Sequence, residues 1–281
     1  MRKLRAKRQK KMTLNEASRI LSEAGIDSPK DEARIIFHKL GGIPYHELVG
    51  SRIDSDKEEV KAALERRCAR EPLAYIIGEV DFYRESYLVT PDCLIPRSDT
   101  EILVDFAVNN IPRGTAFVDL CTGSGCIALS VLNNTEGTRA KAVDISEGAI
   151  SVAKRNADRL GLSDRIEFLT LDALTAPVTD RVYAVLSNPP YVSEQSYMTL
   201  EPEIYKEPSG AFLGGADGGD FYRRLTPMYR DVIDPEGFIA FEIGYDQGEL
   251  LHDIAKKCDM SCKIIRDLGG RDRVAVLKRL N

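Results

Sequence analysis

The pattern of apolar and polar positions divides the chain into a helical first part and a second part in which strands alternate with helices. In the first part, apolar side chains recur at helical spacing, and Thr13 with Glu16 forms a capping-box pattern at the start of the first helix. Asp54 or Ser55 is expected to cap a later helix. The spacing therefore predicts a small all-α domain over residues 13–75.

From residue 116 onward, short apolar runs rich in β-branched residues alternate with segments of helical periodicity. Strands that alternate with helices form a mostly parallel sheet with helices on both faces, so an α/β domain is predicted. The predicted strands are residues 117–120, 140–144, 166–169, 182–187, 238–243, 263–265 and 274–277. The last two, joined by a Gly269-Gly270 loop, are expected to form an antiparallel pair. The helix after the second strand is expected to run from Glu147 to Leu160 and to be closed by Gly161.

The remaining segments complete the predicted domain organisation. Val80 to Pro96 alternates loosely between apolar and polar positions and predicts a hairpin or strand pair, so residues 76–97 are expected to form a hairpin linker. Phe82, in this hairpin, is a candidate either to cover a site or to pack in the hairpin core. Residues 98–281 form the predicted α/β domain, and Asp99 or Ser98 is expected to cap its first helix. Residues 1–12 are a basic leader, which predicts a solvated tail or a segment that contacts phosphates.

Composition and charge argue against several classes of protein. The chain has 281 residues and a net charge of −5, so its whole surface is not that of a nucleic-acid-binding protein. No apolar run is long enough for a transmembrane helix, and the N-terminus lacks the apolar segment of a secretory signal. The six cysteines form no CxxC pair and the three histidines lie far from them in sequence, so no metal site is predicted. We expect reduced thiols and a cytoplasmic location.

Four residues directly after the 182–187 strand, Asn188-Pro189-Pro190-Tyr191, form the most informative motif. Because prolines have no backbone N–H, they end the strand in a rigid loop at the edge of the sheet where ligands bind. The Asn188 side-chain oxygen and a carbonyl of the proline pair can accept the two N–H groups of a planar amide or an amino-substituted base, while Tyr191 stacks on its plane. The alternative is a turn that only ends the strand.

A glycine-rich turn follows the first strand of the predicted sheet. Residues Gly123 to Ala128 fit the pattern G-x-G-x-x-A, and Asp144 ends the next strand about twenty residues later. This combination is typical of a site for a nucleoside or dinucleotide, with the Asp144 carboxylate at the ribose hydroxyls. Asp119 can help to hold an ammonium group, and Asp172 can accept a hydrogen bond from an adenine amino group. Both acids favour S-adenosylmethionine over NAD.

Together these motifs resemble the class I S-adenosylmethionine-dependent methyltransferases that modify planar nitrogens. Further segments are similar to the PrmC (HemK) family of release factor glutamine methyltransferases. The segments that carry this narrower resemblance are Gly78 with Phe82-Tyr83, Pro96–Glu101, Glu207-Pro208, Glu242–Gly244, Gln247-Gly248 and Asp267–Arg273.

The resemblance implies a Rossmann-like, mostly parallel seven-stranded sheet with an antiparallel last strand. It implies further that the helical domain, which precedes this sheet in the chain, binds release factors. It also implies that S-adenosylmethionine is the methyl donor for the side-chain amide nitrogen of the glutamine in the Gly-Gly-Gln motif of peptide chain release factors. The residues implied at the donor are Asp119, Cys121, Thr122, Gly123, Ser124, Gly125, Asp144, Ile145, Asp172, Ala173 and Asn188. The residues implied at the glutamine are Asn188, Pro189, Pro190 and Tyr191, with Phe82 as a cover.

Three other functions remain open from the residues alone. The Asn188 loop would also serve an adenine methyltransferase that flips its base out of a nucleic acid, although the chain has no added recognition domain. A non-catalytic protein that binds ribosomes or factors would not need the intact Asp144 and Asn188. A NAD oxidoreductase would need a proton-transfer group near the sheet edge. We therefore expect a monomeric enzyme that acts on release factors, with neither DNA nor a membrane as partner.

Overall fold

The computed structural model describes residues 11–49, 54–55, 57–179 and 181–280. They belong to two compact units, Met1–Gly78 and Glu79–Asn281. The basic leader predicted over residues 1–12 lies outside the described residues except for its last two. No helix in the described part of the chain is long and apolar enough to cross a membrane.

The first unit is helical and has its own apolar core, in which Leu21, Ile36 and Phe37 are fully buried. Its helices are α1 (Leu14–Glu23), α2 (Pro29–Lys39), α3 (Glu58–Cys68) and α4 (Leu73–Ile77), with a 3₁₀ helix at Tyr45–Val49. Two short strands, β1 (Met12–Thr13) and β2 (Asp54–Ser55), pair antiparallel.

The predicted capping box of α1 is confirmed, but the predicted cap of α3 is wrong. The Glu16 N–H donates to the Thr13 hydroxyl at 3.1 Å, and the Thr13 N–H donates to the Glu16 carboxylate at 3.1 Å. Asp54 and Ser55 lie instead in β2, where pairing with β1 holds them extended. Lys57 therefore precedes α3 and gives it no side-chain cap.

The second unit begins with an antiparallel hairpin, β3 (Glu79–Phe82) and β4 (Glu85–Leu88), and continues as an α/β domain. Its further strands are β5 (Ala116–Leu120), β6 (Arg139–Asp144), β7 (Ile166–Thr170), β8 (Val182–Ser187), β9 (Ile233–Glu242), β10 (Met260–Arg266) and β11 (Asp272–Arg279). Its helices are α5 (Glu101–Asn110), α6 (Cys126–Asn133), α7 (Glu147–Leu160), α8 (Glu194–Tyr197), α9 (Asp220–Arg230) and α10 (Gly248–Lys257).

The seven strands β5 to β11 form one sheet in the order β10-β11-β9-β8-β5-β6-β7. Strand β11 is antiparallel to both of its neighbours, and the other neighbouring strands are parallel. The predicted seven-stranded, mostly parallel sheet with an antiparallel last strand is therefore confirmed. The core of the unit lies between this sheet and the helices that cover it.

The order of the strands reverses between β5 and β8, because the chain runs from β5 outward to β7 and then returns to β8 and β9. Ligands bind at such a reversal, beyond the carboxyl ends of the strands. The Ser187 hydroxyl at the end of β8 donates to the Leu120 carbonyl at the end of β5, at 2.7 Å. This bond ties together the two strand ends from which the glycine turn and the Asn188 loop begin.

Candidate active site

The glycine turn after β5 exposes its backbone to a cavity. Gly123 has φ +55° and a Cβ added there would meet no atom within 4 Å, whereas a Cβ at Gly125 would lie 3.1 Å from Ala153. Gly123 therefore leaves room for close approach of a ligand, and Gly125 lets α7 pack closely. The Gly123 N–H donates to Asp144 at 2.9 Å, and the Ser146 N–H donates to the other oxygen of the same carboxylate at 2.9 Å. These two bonds fix the Asp144 carboxylate at the end of β6.

The turn and the neighbouring strand ends enclose a cavity of about 210 Å³. It brings together most of the residues that the sequence assigns to a methyl donor. The predicted residues in its wall are Cys121, Gly123, Asp144, Ile145, Asp172, Ala173, Asn188 and Pro190. The residues in its wall to which sequence reasoning gave no role are Asp92, Cys93, Leu94, Ser146, Ala149, Pro208, Gly210, Ala211 and Phe221.

The carboxylates of Asp92, Asp144 and Asp172 and several apolar side chains line this cavity. Burial raises the pKa of Asp144, while its backbone hydrogen bonds oppose that rise. The Asp172 carboxylate accepts the Leu174 N–H at 2.8 Å. Ile145 is 72% exposed although it is apolar and branched, and it lines the cavity together with Ala173. Such a wall suits a ligand with a flat apolar face and hydroxyl or amino donors.

Asp119 does not line the cavity. It is 0% exposed, and one of its carboxylate oxygens accepts the Thr122 hydroxyl at 2.5 Å and the Ala128 N–H at 3.2 Å. Its other oxygen, Oδ1, has no hydrogen-bond partner among the described residues. Burial raises the pKa of Asp119 to about 7. Asp119 thus braces the turn from inside the core through Thr122 and Ala128, and its contact with an ammonium group stays a prediction.

The Asn188 loop lies between the cavity and a second depression. Asn188 lines both, Pro190 lines the cavity, Tyr191 lines the second depression, and Pro189 lines neither. The Asn188 nitrogen Nδ2 donates to the hydroxyl of Thr100 at 3.3 Å. The Tyr191 hydroxyl donates to a Glu242 carboxylate oxygen at 3.1 Å. Both ends of the loop are therefore held by side chains from distant parts of the chain.

The second depression is a groove of about 730 Å³. It shares Leu94, Asn188 and Ala211 with the cavity, so the two spaces adjoin at Asn188. The wall of the groove also includes Arg97, Tyr191, Glu242, Tyr245, Gln247 and Arg273. This arrangement can hold a polypeptide loop in the groove while one of its side chains reaches Asn188 beside the cavity.

Comparisons with known proteins agree with this geometry. The family model described as PrmC N-terminal domain matches residues 13–78, and the one described as methyltransferase small domain matches residues 98–208. The chain is 36% identical over 268 residues to the release factor glutamine methyltransferase of Caulobacter vibrioides, with 91% of each chain covered. It is 34% identical over 272 residues to that of Moorella thermoacetica, with 94% of this chain and 96% of the relative covered. The chain belongs to the release factor glutamine methyltransferase family.

A solved structure shows the same fold at lower identity. The ribosomal protein L11 methylase from Lactobacillus delbrueckii subsp. bulgaricus has a TM-score of 0.51 at 17% identity, covering 69% of this chain and 84% of that chain. As a member of the release factor glutamine methyltransferase family, this chain is an enzyme that uses S-adenosylmethionine as its methyl donor.

The residues of the cavity fit that donor. The Asp144 carboxylate, whose position two N–H groups fix, can accept from ribose hydroxyls. Ile145 and Ala173 offer apolar surface for an adenine ring, and Asp172 can accept from its amino group. The open space at Gly123 allows the backbone to approach the donor closely. Among the described residues, no group of three or more His, Cys, Asp or Glu side chains could hold a metal ion.

Two sequence predictions are corrected, one about a cover for the substrate and one about the cap of α5. Phe82 lines neither the cavity nor the groove; it is 2% exposed and packs edge-to-face on Tyr87 at a centroid distance of 5.9 Å. It is therefore a core residue of the hairpin rather than a cover for the glutamine. Ser98 and Asp99 do not cap α5, because they lie in a 3₁₀ turn and the Asp99 carboxylate pairs with Arg273 at 3.1 Å.

The loop before α5 and the loop around Glu207 are joined by a buried carboxylate that sequence reasoning did not single out. Glu207 accepts the Ile95 N–H at 3.0 Å and forms an ion pair with Arg97. Residues on either side of this contact, Leu94 and Ala211, line both the cavity and the groove. In the sequence, Glu207 stood out only as part of Glu207-Pro208, one of the segments that resemble the family. That resemblance did not indicate what the carboxylate binds.

Proposed function

We propose that this enzyme methylates the side-chain amide nitrogen of the glutamine in the Gly-Gly-Gln motif of peptide chain release factors. The observation that carries the proposal is the position of Asn188, where the donor cavity adjoins the groove. The names of the relatives, which are release factor glutamine methyltransferases, support the same substrate. We also propose that the helical domain of residues 13–75 binds the release factor, and that the enzyme acts as a cytoplasmic monomer.

The hydrogen bond between Asn188 and Thr100 explains how the glutamine amide would be recognised. Because Nδ2 of Asn188 donates to Thr100, the amide oxygen Oδ1 is left to accept from a substrate. The carbonyl of the neighbouring Pro189 is the proposed second acceptor. A primary amide has two N–H groups, so two fixed acceptors orient its nitrogen and reject an ester or a carboxylate, which would leave them unpaired.

An amide nitrogen is a weak nucleophile because its lone pair is delocalised, so the enzyme must supply orientation and electrostatic stabilisation. When bound, S-adenosylmethionine supplies a methyl group that is electrophilic because it is attached to a positively charged sulfur. The Asn188 and Pro189 oxygens then stabilise the positive charge that develops on the amide N–H groups. No strong general base is needed, since the extra proton becomes acidic as the nitrogen is methylated and can leave afterwards. Most of the rate enhancement would come from positioning.

A transfer assay with methyl-labelled S-adenosylmethionine tests this function. The purified protein is offered a release factor, the same factor with the glutamine of its Gly-Gly-Gln motif replaced by alanine, and unmethylated DNA. We expect label on the intact factor alone. Label on DNA would instead support adenine chemistry at the Asn188 loop, and label on no substrate would support a non-catalytic role.

A further inference from the structure

The residue at the N-cap of α10, Gln247, directs its side chain to the Asn188 loop instead of to its own helix. It makes no side-chain hydrogen bond to the first turn of α10. Its nitrogen Nε2 donates to the main-chain oxygen of Tyr191 at 3.0 Å, a contact between residues 56 apart in sequence. Gln247 is buried, and like Tyr191 it lies in the wall of the groove. A buried amide therefore holds the far end of the loop that begins at Asn188.

All the hydrogen-bonding capacity of this amide is used inside the protein. A glutamine amide has two hydrogens to donate and an oxygen that can accept twice. The second acceptor near Nε2 is the Gly218 oxygen at 3.5 Å. The oxygen Oε1 accepts the Gly244 N–H at 2.9 Å and the Tyr222 hydroxyl at 3.2 Å. These contacts fix which end of the amide faces the loop, and they leave none of its groups to bind a substrate in the groove.

Two glycines bring the main chain of a second segment, residues 214–218, against the same end of the loop. A Cβ at Gly214 would lie 2.6 Å from the Pro190 oxygen, and one at Gly218 would lie 2.2 Å from the Tyr191 oxygen. The Gly214 N–H also donates to the Val192 oxygen at 2.9 Å. This segment thus supports the loop from behind, and the side-chain nitrogen described above contacts both of them.

We propose that Gln247 is a positioning residue, which fixes the Tyr191 end of the Asn188 loop and thereby the two oxygens that receive the substrate amide. The proposal deepens the function proposed above and rests on it. Asn188 and Pro189 lie just before Tyr191 in the loop, and its prolines hold the backbone nearly rigid, so a shift of Tyr191 would move both acceptors. Gln247 does not line the donor cavity, so its effect would reach the reaction through the loop alone.

A glutamine fits this place because the four groups around it make opposite demands. The Tyr191 and Gly218 oxygens need a donor, whereas the Gly244 N–H and the Tyr222 hydroxyl need an acceptor. A carboxylate can only accept, and a hydrocarbon side chain would leave all four groups without their bond. The four groups belong to the loop after β8, the segment before α9, α9 itself and the turn after β9. One amide therefore joins the Asn188 loop to three other parts of the fold.

The first test is Gln247→Glu, which keeps the length of the side chain and an acceptor for Gly244 and Tyr222. It replaces the donor to Tyr191 by an acceptor, so that two oxygens face each other. We expect kcat for methylation of the release factor to fall about tenfold to a hundredfold, since a shift of about 1 Å at a reacting group can cost about a hundredfold. The Kd for S-adenosylmethionine should stay within about twofold of the wild-type value, which also shows that the variant is folded.

The matched control is Tyr222→Phe, which removes a buried hydrogen bond to the same amide but leaves the bond from Nε2 to Tyr191 in place. Both variants should unfold at a lower urea concentration than the wild type, because each loses a buried hydrogen bond. Only Gln247→Glu should lose kcat, whereas the control should keep kcat within about twofold of the wild-type value. An equal loss of kcat in the two variants would show that general destabilisation is the cause and would overturn the proposal.

A double variant tests whether Gln247 acts through the loop. Added to Asn188→Ala, the change Gln247→Glu should lower kcat by a clearly smaller factor than it does in the wild type, because one of the acceptors that it positions is already gone. The same factor in both backgrounds would mean that the two residues act independently, which would contradict the proposal.

Two outcomes separate this inference from the proposed function. If the wild-type protein labels the release factor while Gln247→Glu keeps the wild-type kcat, the inference is wrong and the function stands. If the wild-type protein labels no release factor, the proposed function fails and the inference fails with it. Should Gln247→Glu not bind the donor, Gln247→Met carries the test, because it removes the hydrogen bond to Tyr191 without burying a charge. It should show the same loss of kcat, and a wild-type kcat would overturn the proposal.

Discussion

Replacing Asp119 by asparagine should stabilise the α/β unit at alkaline pH and leave its stability nearly unchanged in acid. The native carboxylate is fully buried, and its single pair of hydrogen bonds, from Thr122 and Ala128, goes to one oxygen only. Asparagine keeps that accepting oxygen and removes the charge. The unpaired Oδ1 position, which has no partner among the described residues, is where the asparagine nitrogen would lie.

The magnitude follows from the pKa. Burial raises the pKa of Asp119 from 3.8 to about 7. A difference of about three in pKa between the unfolded and folded states corresponds to about 4 kcal/mol in the free energy of unfolding. Because the folded pKa is the higher one, this stability is fully present below pH 4 and is lost as pH rises through about 7. The advantage of Asp119→Asn over the wild type should therefore grow between pH 4 and pH 7 and then level off.

Urea unfolding followed by circular dichroism at pH 5, 6, 7 and 8 measures this difference. The comparison is made between variant and wild type, since both contain the same two units and deviations from two-state behaviour largely cancel. An advantage for the variant that is the same at every pH, or that grows toward acid, would refute the account of Asp119 as a buried carboxylate that is costly to ionise.

Further predictions concern the donor cavity, the Asn188 loop and the helical unit. Asn188→Ala should lower kcat by about 10²–10³, the scale for losing one fixed hydrogen-bonding group at a reacting centre, and full activity would remove its role. Gly123→Ala should raise the Kd for S-adenosylmethionine about tenfold in calorimetry, because alanine is strained at φ +55° and its methyl group would occupy the space left for the donor; an unchanged Kd would contradict this. Removing residues 1–78 should lower methylation of a whole release factor but not of a short Gly-Gly-Gln peptide, and equal losses on both would argue against factor binding by the helical unit.

The sequence was most informative about the sheet. All seven strands were predicted. The central parallel strands are the clearest, because strands buried on both faces are short continuous apolar runs, such as residues 182–187. The helix α7 begins at Glu147 and ends before Gly161 as predicted, because its cap residues act locally. The caps predicted for α3 and α5 failed for the opposite reason. Their polar residues are taken by contacts with distant parts of the chain, as in the pairing of Asp99 with Arg273.

The site could be predicted where its residues lie at the ends of predicted strands. The glycine turn and the Asn188 loop each follow a strand and Asp144 ends one, so their common edge could be inferred from the α/β pattern. The contact of Glu242 with Tyr191 depends on the order of the strands, which local patterns do not encode. The side of the strand on which Asp119 lies could not be decided either, since a strand buried on both faces lacks alternation.

The most direct test of the central claim is tandem mass spectrometry of a release factor after reaction with the enzyme and S-adenosylmethionine. The account predicts one added methyl group, on the side chain of the glutamine in the Gly-Gly-Gln motif, and its loss when the Asn188→Ala enzyme is used at the same time and concentration. A methyl group on another residue, or an equal yield from the Asn188→Ala enzyme, would contradict the account.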